Sequence, residues 1–254
     1  MSSAPTLGRV RLDRIDALRA VAMLWMTAYH FAFDLDHFRL IAQDFHRDPF
    51  WTWQRTAIVS LFLFTAGLSQ AVALAQGQGW PRFWRRWAQV AGAALLVSAG
   101  SALMFPKTFI YFGVLHGIAV MLIVGRLTAG WGGWLWPLGA LAIAAKFAAP
   151  WLIGWAPWLE AFNTPGLNAL GFISRLPVTE DYVPLLPWLG VMWWGVAAGQ
   201  RALRVRPAWL GAADEPATGL RRGLAVLGRW SLSYYLLHQP VLIGLVTAFV
   251  WLRG

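Results

Sequence analysis

RIDALRAVAMLWMTAYHFAFDLDHF, residues 14–38, is apolar over most of its length, yet it carries Asp16, Arg19, Thr27, His30, Asp34 and His37 at intervals of 3, 8, 3, 4 and 3. These intervals return to one face of a helix with 3.6 residues per turn. The segment therefore reads as a helix with one polar stripe, long enough for a hydrocarbon core of roughly 30 Å at ~1.5 Å rise per residue. Ionisable side chains in hydrocarbon cost on the order of a few kcal/mol each, so the stripe is expected to face other helices or a wet cavity and to be functional. Polar glue between packed helices is the competing account.

The rest of the chain is of the same kind. Its 254 residues are 58% hydrophobic and 13% charged, with mean hydropathy +0.53, where soluble domains are roughly a quarter charged. Apolar runs predict helices at 15–36, 55–76, 85–105, 109–128, 131–150, 183–202 and 226–250. The fold class expected is all-α: a polytopic membrane bundle of about seven spans, forming a single domain over 1–254. Many of the 18 Trp, such as Trp51, Trp53, Trp84, Trp87, Trp151 and Trp155, fall near run ends, where amphipathic rings favour the headgroup zone. The first run contains charges and lacks a small-residue cleavage pattern, so it is read as a retained helix rather than a leader. With no Cys, thiol catalysis and Cys-ligated metals are excluded.

A net charge of +10 raises the question of nucleic acid, and its distribution answers it. Assigning alternate helix ends to alternate sides puts fourteen of the 21 basic residues on the N-terminal side, among them Arg9, Arg11, Arg14, Arg19, Arg82, Arg85, Arg86, Arg126 and Arg206. The other side holds seven basic and seven acidic residues, and is neutral. By the positive-inside rule the N-terminus is cytoplasmic and an odd number of spans places the C-terminus outside; an eighth spanning helix would break the alternation. The connection 151–182, rich in Trp, Pro and Gly, is too broken for a regular span and is expected to lie at the outer interface. The inner connection with Gly211, Asp214, Glu215 and Pro216 reads as a solvated loop.

Arg19 and His30 lie eleven residues apart, or ~16 Å along the helix. A guanidinium at the inner end suits phosphate, and a neutral imidazole deeper in can take a proton from an attacking amine or hydroxyl. Asp16 accompanies Arg19, and Asp34 is placed to orient an imidazole. Further candidates are His116 in IYFGVLHGIAV, His238 in GRWSLSYYLLHQP, Asp181 and Tyr182 in DYVPLLPWLG, and His46 in the loop DFHRDPFW. Each histidine alone has a structural reading as a hydrogen-bonded packing residue. No HxxxH or HExxH spacing, phosphate-binding loop or nucleophile elbow occurs, and no metal is expected.

The opening segment, followed by SLFLFTAGLSQAVA, IYFGVLHGIAV, DYVPLLPWLG and LGRWSLSYYLLHQP, resembles bacterial membrane proteins related to the catalytic domain of heparan-alpha-glucosaminide N-acetyltransferase. The likeness runs from Arg14 to Pro240. Arg19 and His30 also fit the Arg, ten residues, His pattern of transmembrane acyltransferases that modify surface polysaccharides. The resemblance implies transfer of acetyl from cytoplasmic acetyl-CoA to a glycan or amino sugar outside, in a bacterial inner membrane. It points to two histidines for catalysis: His30 by the Arg–His pattern and His46 by its distance before FLFTAG. Arg19 and Asp16 would then hold the CoA, with Asp34, His116, Asp181, Tyr182 and His238 lining the cavity. Partners are the bilayer, acyl-CoA and the acceptor, with a homo-oligomer open and no nucleic acid. Two other readings stand: a transporter or flippase using the stripe, and a haem-binding subunit using paired imidazoles.

Overall fold

The structure is a computed structural model and describes residues 12–205 and 219–253. Among these it is all-α, with one isolated β-bridge between Phe112 and Tyr182. The helices are α1 Asp13–His37, α2 Pro49–Ala75, α3 Trp80–Met104, α4 Val114–Thr128, α5 Leu135–Trp155, α6 Leu185–Val205, α7 Gly219–Arg229 and α8 Ser231–Arg253. A 3-10 turn, Ala129–Trp134, joins α4 to α5, and two more, Pro157–Asn163 and Leu167–Leu170, occupy the segment after α5.

Four stretches are long and apolar enough to cross a membrane: α2, α3, the joined α4–α5 and α8. The 25 residues of α1 and the 21 of α6 have the length but not the hydropathy. In α1 the polar stripe lowers it, and in α6 a run of Trp and Gly ending in Gln200 and Arg201 does.

Three expectations shift. The fourth helix starts at Val114 instead of 109, because the aromatic and β-branched run Phe109–Phe112 is extended. It pairs with the strand-like segment before α6 through Val183 N–H to Phe112 O (3.1 Å) and Glu180 N–H to Thr108 O (2.8 Å). The helix expected at 226–250 divides at Trp230 into α7 and α8, and α7 takes up residues 219–225, which the sequence had suggested were loop. With 11 residues, or ~16 Å, α7 is too short to span and adds no crossing. The loop residues Gly211, Asp214, Glu215 and Pro216, and the basic residues Arg9, Arg11 and Arg206, lie outside the described residues.

The chain divides, after Phe62 within α2, into two compact units, each described by itself. In residues 63–205 the core gathers Ala71, Ala129, Leu135, Val196 and Ala197. Polar side chains on this unit's helices cap backbone groups directly: Gln70 donates to Leu122 O (3.1 Å) and Gln200 to Ala129 O (2.8 Å). At Gly195 on α6 an added Cβ would land on the Phe64 carbonyl oxygen of α2, so only glycine permits this approach.

In the other unit, residues 12–62 and the helices after 218, an aromatic cluster packs under α1. Phe45, 2% exposed, sets its edge against Tyr29 (5.5 Å) and Phe33 (5.3 Å), pinning the 38–48 loop to the helix. Partners along α1 advance in the same direction as those along α8, from Thr27–Tyr234 (2.6 Å) through His30–His238 (2.9 Å) to Asp34–Gln239 (2.8 Å). The two helical stretches therefore run parallel.

Gly195→Ala is expected to lower the thermal midpoint in detergent, with overpacking costing about 1–3 kcal/mol. Gly92→Ala on α3, where an added Cβ meets nothing within 4 Å, should leave it unchanged or raise it slightly.

Candidate active site

The polar stripe of α1 is met, residue by residue, by α7 and α8. At its start Arg19 Nη1 pairs with Asp16 Oδ1 (2.7 Å) and approaches Gly228 O (3.5 Å). Gly228 lets α7 close on α1, since any Cβ there would strike the Asp16 carbonyl. Asp16 is buried and Arg19 mostly so. Two turns on, Thr27 gives its proton to Met23 O (2.9 Å), so Tyr234 O–H is the donor in the Tyr234–Thr27 bond.

At the centre of the stripe stands a pair of histidines. His30 Nδ1 lies 2.9 Å from His238 Nε2, and His238 Nδ1 lies 2.7 Å from the Tyr235 carbonyl oxygen. Tyr234 lies parallel to the His238 ring (centroids 6.0 Å, planes 4° apart), and His238 is buried. One turn further along α1, Asp34 is 3% exposed and accepts from Gln239 Nε2 (2.8 Å). Two buried oxygens here have no hydrogen-bond partner among the described residues: Asp34 Oδ2 and Gln239 Oε1. His37, at the stripe's end, is exposed.

Asp34 was expected to orient an imidazole and instead holds the Gln239 amide. The spacing explains the change: residue i+4 sits a full turn past His30, level with the residue after His238. Gln239 itself went unnoticed in the sequence, although its place between His238 and the helix-breaking Pro240 was a signal. Tyr234 and Thr27 as a linked pair were also not foreseen.

The remaining candidates divide. His46 belongs to the same unit, exposed on the loop, with its backbone N–H held by Asp44 Oδ1 (3.1 Å). His116, Asp181 and Tyr182 belong to the other unit and form its polar turn. His116 Nδ1 accepts from Gly113 N–H (3.3 Å), the N-cap of α4, and its Nε2 meets Ser98 Oγ (3.0 Å), which in turn donates to Ile110 O (2.6 Å). Both ring nitrogens of His116 are thus engaged in starting the helix, in the manner of a capping box. Asp181 Oδ2 accepts from Val114 N–H (2.8 Å), a carboxylate at a helix N-terminus where the dipole favours it. Tyr182 O–H donates to Asn168 O (2.5 Å), and burial, with Tyr111 beside it, pushes the phenol well above its ordinary range, so it stays a neutral donor.

α1, α7 and α8 thus form a helical cluster with a hydrogen-bonded histidine pair on its polar face, in a chain whose four long apolar stretches mark an integral membrane protein. The chain belongs to the heparan-alpha-glucosaminide N-acetyltransferase catalytic family, whose model matches residues 11–240, and so to a class of membrane transferases. No curated protein and no solved structure matches it.

His116→Ala should lower thermal stability in detergent by about 1 kcal/mol through loss of the cap. Ser98→Ala should cost a similar amount, and the double variant less than the sum of the two, because both remove one network.

Proposed function

We propose that this chain is an acyl-CoA-dependent membrane acetyltransferase. It takes acetyl from acetyl-CoA at the cytoplasmic face and delivers it to the amino group of a sugar or glycan outside, with His30 as general base. Membership of the transferase family supports the reaction class. The observation that carries the site is the pair of partnerless buried oxygens, Asp34 Oδ2 and Gln239 Oε1, beside the histidines. Each such group costs about 1–3 kcal/mol when unmet, so the site favours a ligand rich in hydrogen-bond donors. A hydroxyl has one proton and spends it on the base. An amine brings two, and so can engage the base and an oxygen together.

The topology that goes with this reading has seven spans, an inner N-terminus and a bacterial inner membrane as its location. The inner excess of basic residues supports it, as does the parallel run of α1 and α8, which an odd number of spans requires. Arg19, paired with Asp16 at the inner end, is assigned to the phosphates of CoA. His46 is the second candidate base. Asp181, Tyr182 and His116, in the other unit, are assigned to holding the α4 turn rather than to chemistry.

The file of polar groups from Asp16 to Asp34 also favours proton or headgroup passage without acyl transfer, the transporter reading. The haem reading fits poorly. Paired imidazoles on iron hold their nitrogens ~4 Å apart, twice a metal–nitrogen bond, whereas His30 and His238 are in hydrogen-bond contact at 2.9 Å.

Purified protein in detergent, given radiolabelled acetyl-CoA and glucosamine, should release CoA and label the amino group, while the sugar with hydroxyl in place of amine should label poorly. His30→Ala should lower the rate by about 100-fold or more and His46→Ala leave it near wild type. Absence of CoA release, labelled product and CoA binding would defeat the proposal; equal rates in the two variants would move the base elsewhere.

A further inference from the structure

We infer that His238 is a positioning residue: it fixes which nitrogen of His30 is free to act as base, and it takes up a proton from His30 during transfer. This rests on the transferase reading above. A carbonyl oxygen only accepts, so the 2.7 Å contact between Tyr235 O and His238 puts the hydrogen on His238 Nδ1. A neutral imidazole carries one N–H, which leaves a lone pair on His238 Nε2. That lone pair faces His30 Nδ1 at 2.9 Å, and a hydrogen bond between two nitrogens needs one proton. His30 must supply it. His30 therefore carries its hydrogen on Nδ1 and keeps a lone pair on Nε2, with the Gln239 side chain also in contact with the ring.

The ring geometry agrees. The centroids are 5.1 Å apart with planes inclined by 21°, a separation close to one N···N hydrogen bond plus two ring radii. The rings lie nearly end to end, so the His30 N–H points along the His238 lone pair instead of across its face. The opposite arrangement would set the lone pair of His238 Nδ1 against that of the Tyr235 carbonyl.

The chain of donors sets the order of events. An acceptor amine hydrogen-bonded to His30 Nε2 attacks the thioester carbonyl carbon. As the C–N bond forms and the C–S bond breaks, the amine proton passes to His30 Nε2 and the Nδ1 proton passes to His238 Nε2. The positive charge then rests on His238, whose Nδ1–H stays on the Tyr235 carbonyl. Tyr234, parallel to that ring and held by Thr27, presents an aromatic face to the cation. When His30 gives its Nε2 proton to the departing sulfur, yielding the free thiol, His238 returns its own to His30 Nδ1. Atoms and charge balance without any further reactant.

The test combines a structural and a kinetic readout. Ring-labelled histidine in the purified protein, assigned with His30→Ala and His238→Ala, reports each tautomer by nitrogen-15 NMR. Wild type should show His30 protonated at Nδ1, and His238→Ala should move that proton to Nε2, the commoner neutral form. In acetyl transfer to glucosamine, His238→Ala should lower kcat about 100-fold with both KM values within about twofold. His238→Gln, whose amide oxygen can accept from His30 Nδ1–H but cannot be protonated, should keep the NMR signature and recover only part of the rate. An Nε2-protonated His30 in active wild-type protein would overturn the inference alone. Wild-type kcat in either variant would overturn the proton-uptake role. A wild type with the expected tautomers and no transfer to any amine would defeat the transferase reading, and the uptake role with it.

Discussion

A hydrogen-bonding side chain held in hydrocarbon is expensive unless a partner meets it, and α1 carries five such side chains on one face, from Asp16 to Asp34. This constraint organises the unit around α1. Arg19 closes on Asp16 and the Gly228 carbonyl, Thr27 receives Tyr234, His30 meets His238 and Asp34 takes Gln239. A helix that must satisfy so many groups at fixed depths admits few partners in few registers. Its neighbour α8 supplies partners in the same order, from Tyr234 to Gln239, and so runs in the same direction. Gly228 follows from the same need, since the contact at Arg19 requires the backbones to approach closely.

Polar groups in the other unit serve a different end. His116, Ser98, Ser101 and Asp181 are spent on backbone N–H and C=O groups where the extended run Phe109–Phe112 turns into α4. Each backbone group left open there would cost as much as a lost hydrogen bond, so side chains close them. The histidines differ in what they meet: His116 has both nitrogens engaged in a turn, whereas His30 and His238 are bonded to each other across two helices.

The difference is instructive because three intramembrane histidines look alike in a linear sequence. Each sits in an apolar run, His30 after Tyr29, His116 before Gly117 and His238 after Leu237. Periodicity placed His30 on a face with Arg19 and Asp34, and that face is where the polar contacts of α1 lie. It carried no information on whether Asp34 would reach an imidazole or an amide, because that depends on the rotation and depth of α8. Nor did it flag Gln239, a residue type that usually counts as neutral packing.

From the sequence alone came the all-α membrane character, the approximate limits of most helices, the stripe on α1 and the likeness that points to acetyl transfer; all of these depend on local hydropathy, spacing and motif. The division of the last helix at Trp230, the extended start before α4 and the pairing of His30 with His238 are decided by tertiary structure alone. The pairings join groups far apart in the chain, His30 with His238 and Phe112 O with Val183 N–H, and hydropathy holds no record of such meetings. The opening stripe thus gains its second imidazole only when α8 brings His238, with Nδ1 against Tyr235 O and Nε2 against His30 Nδ1.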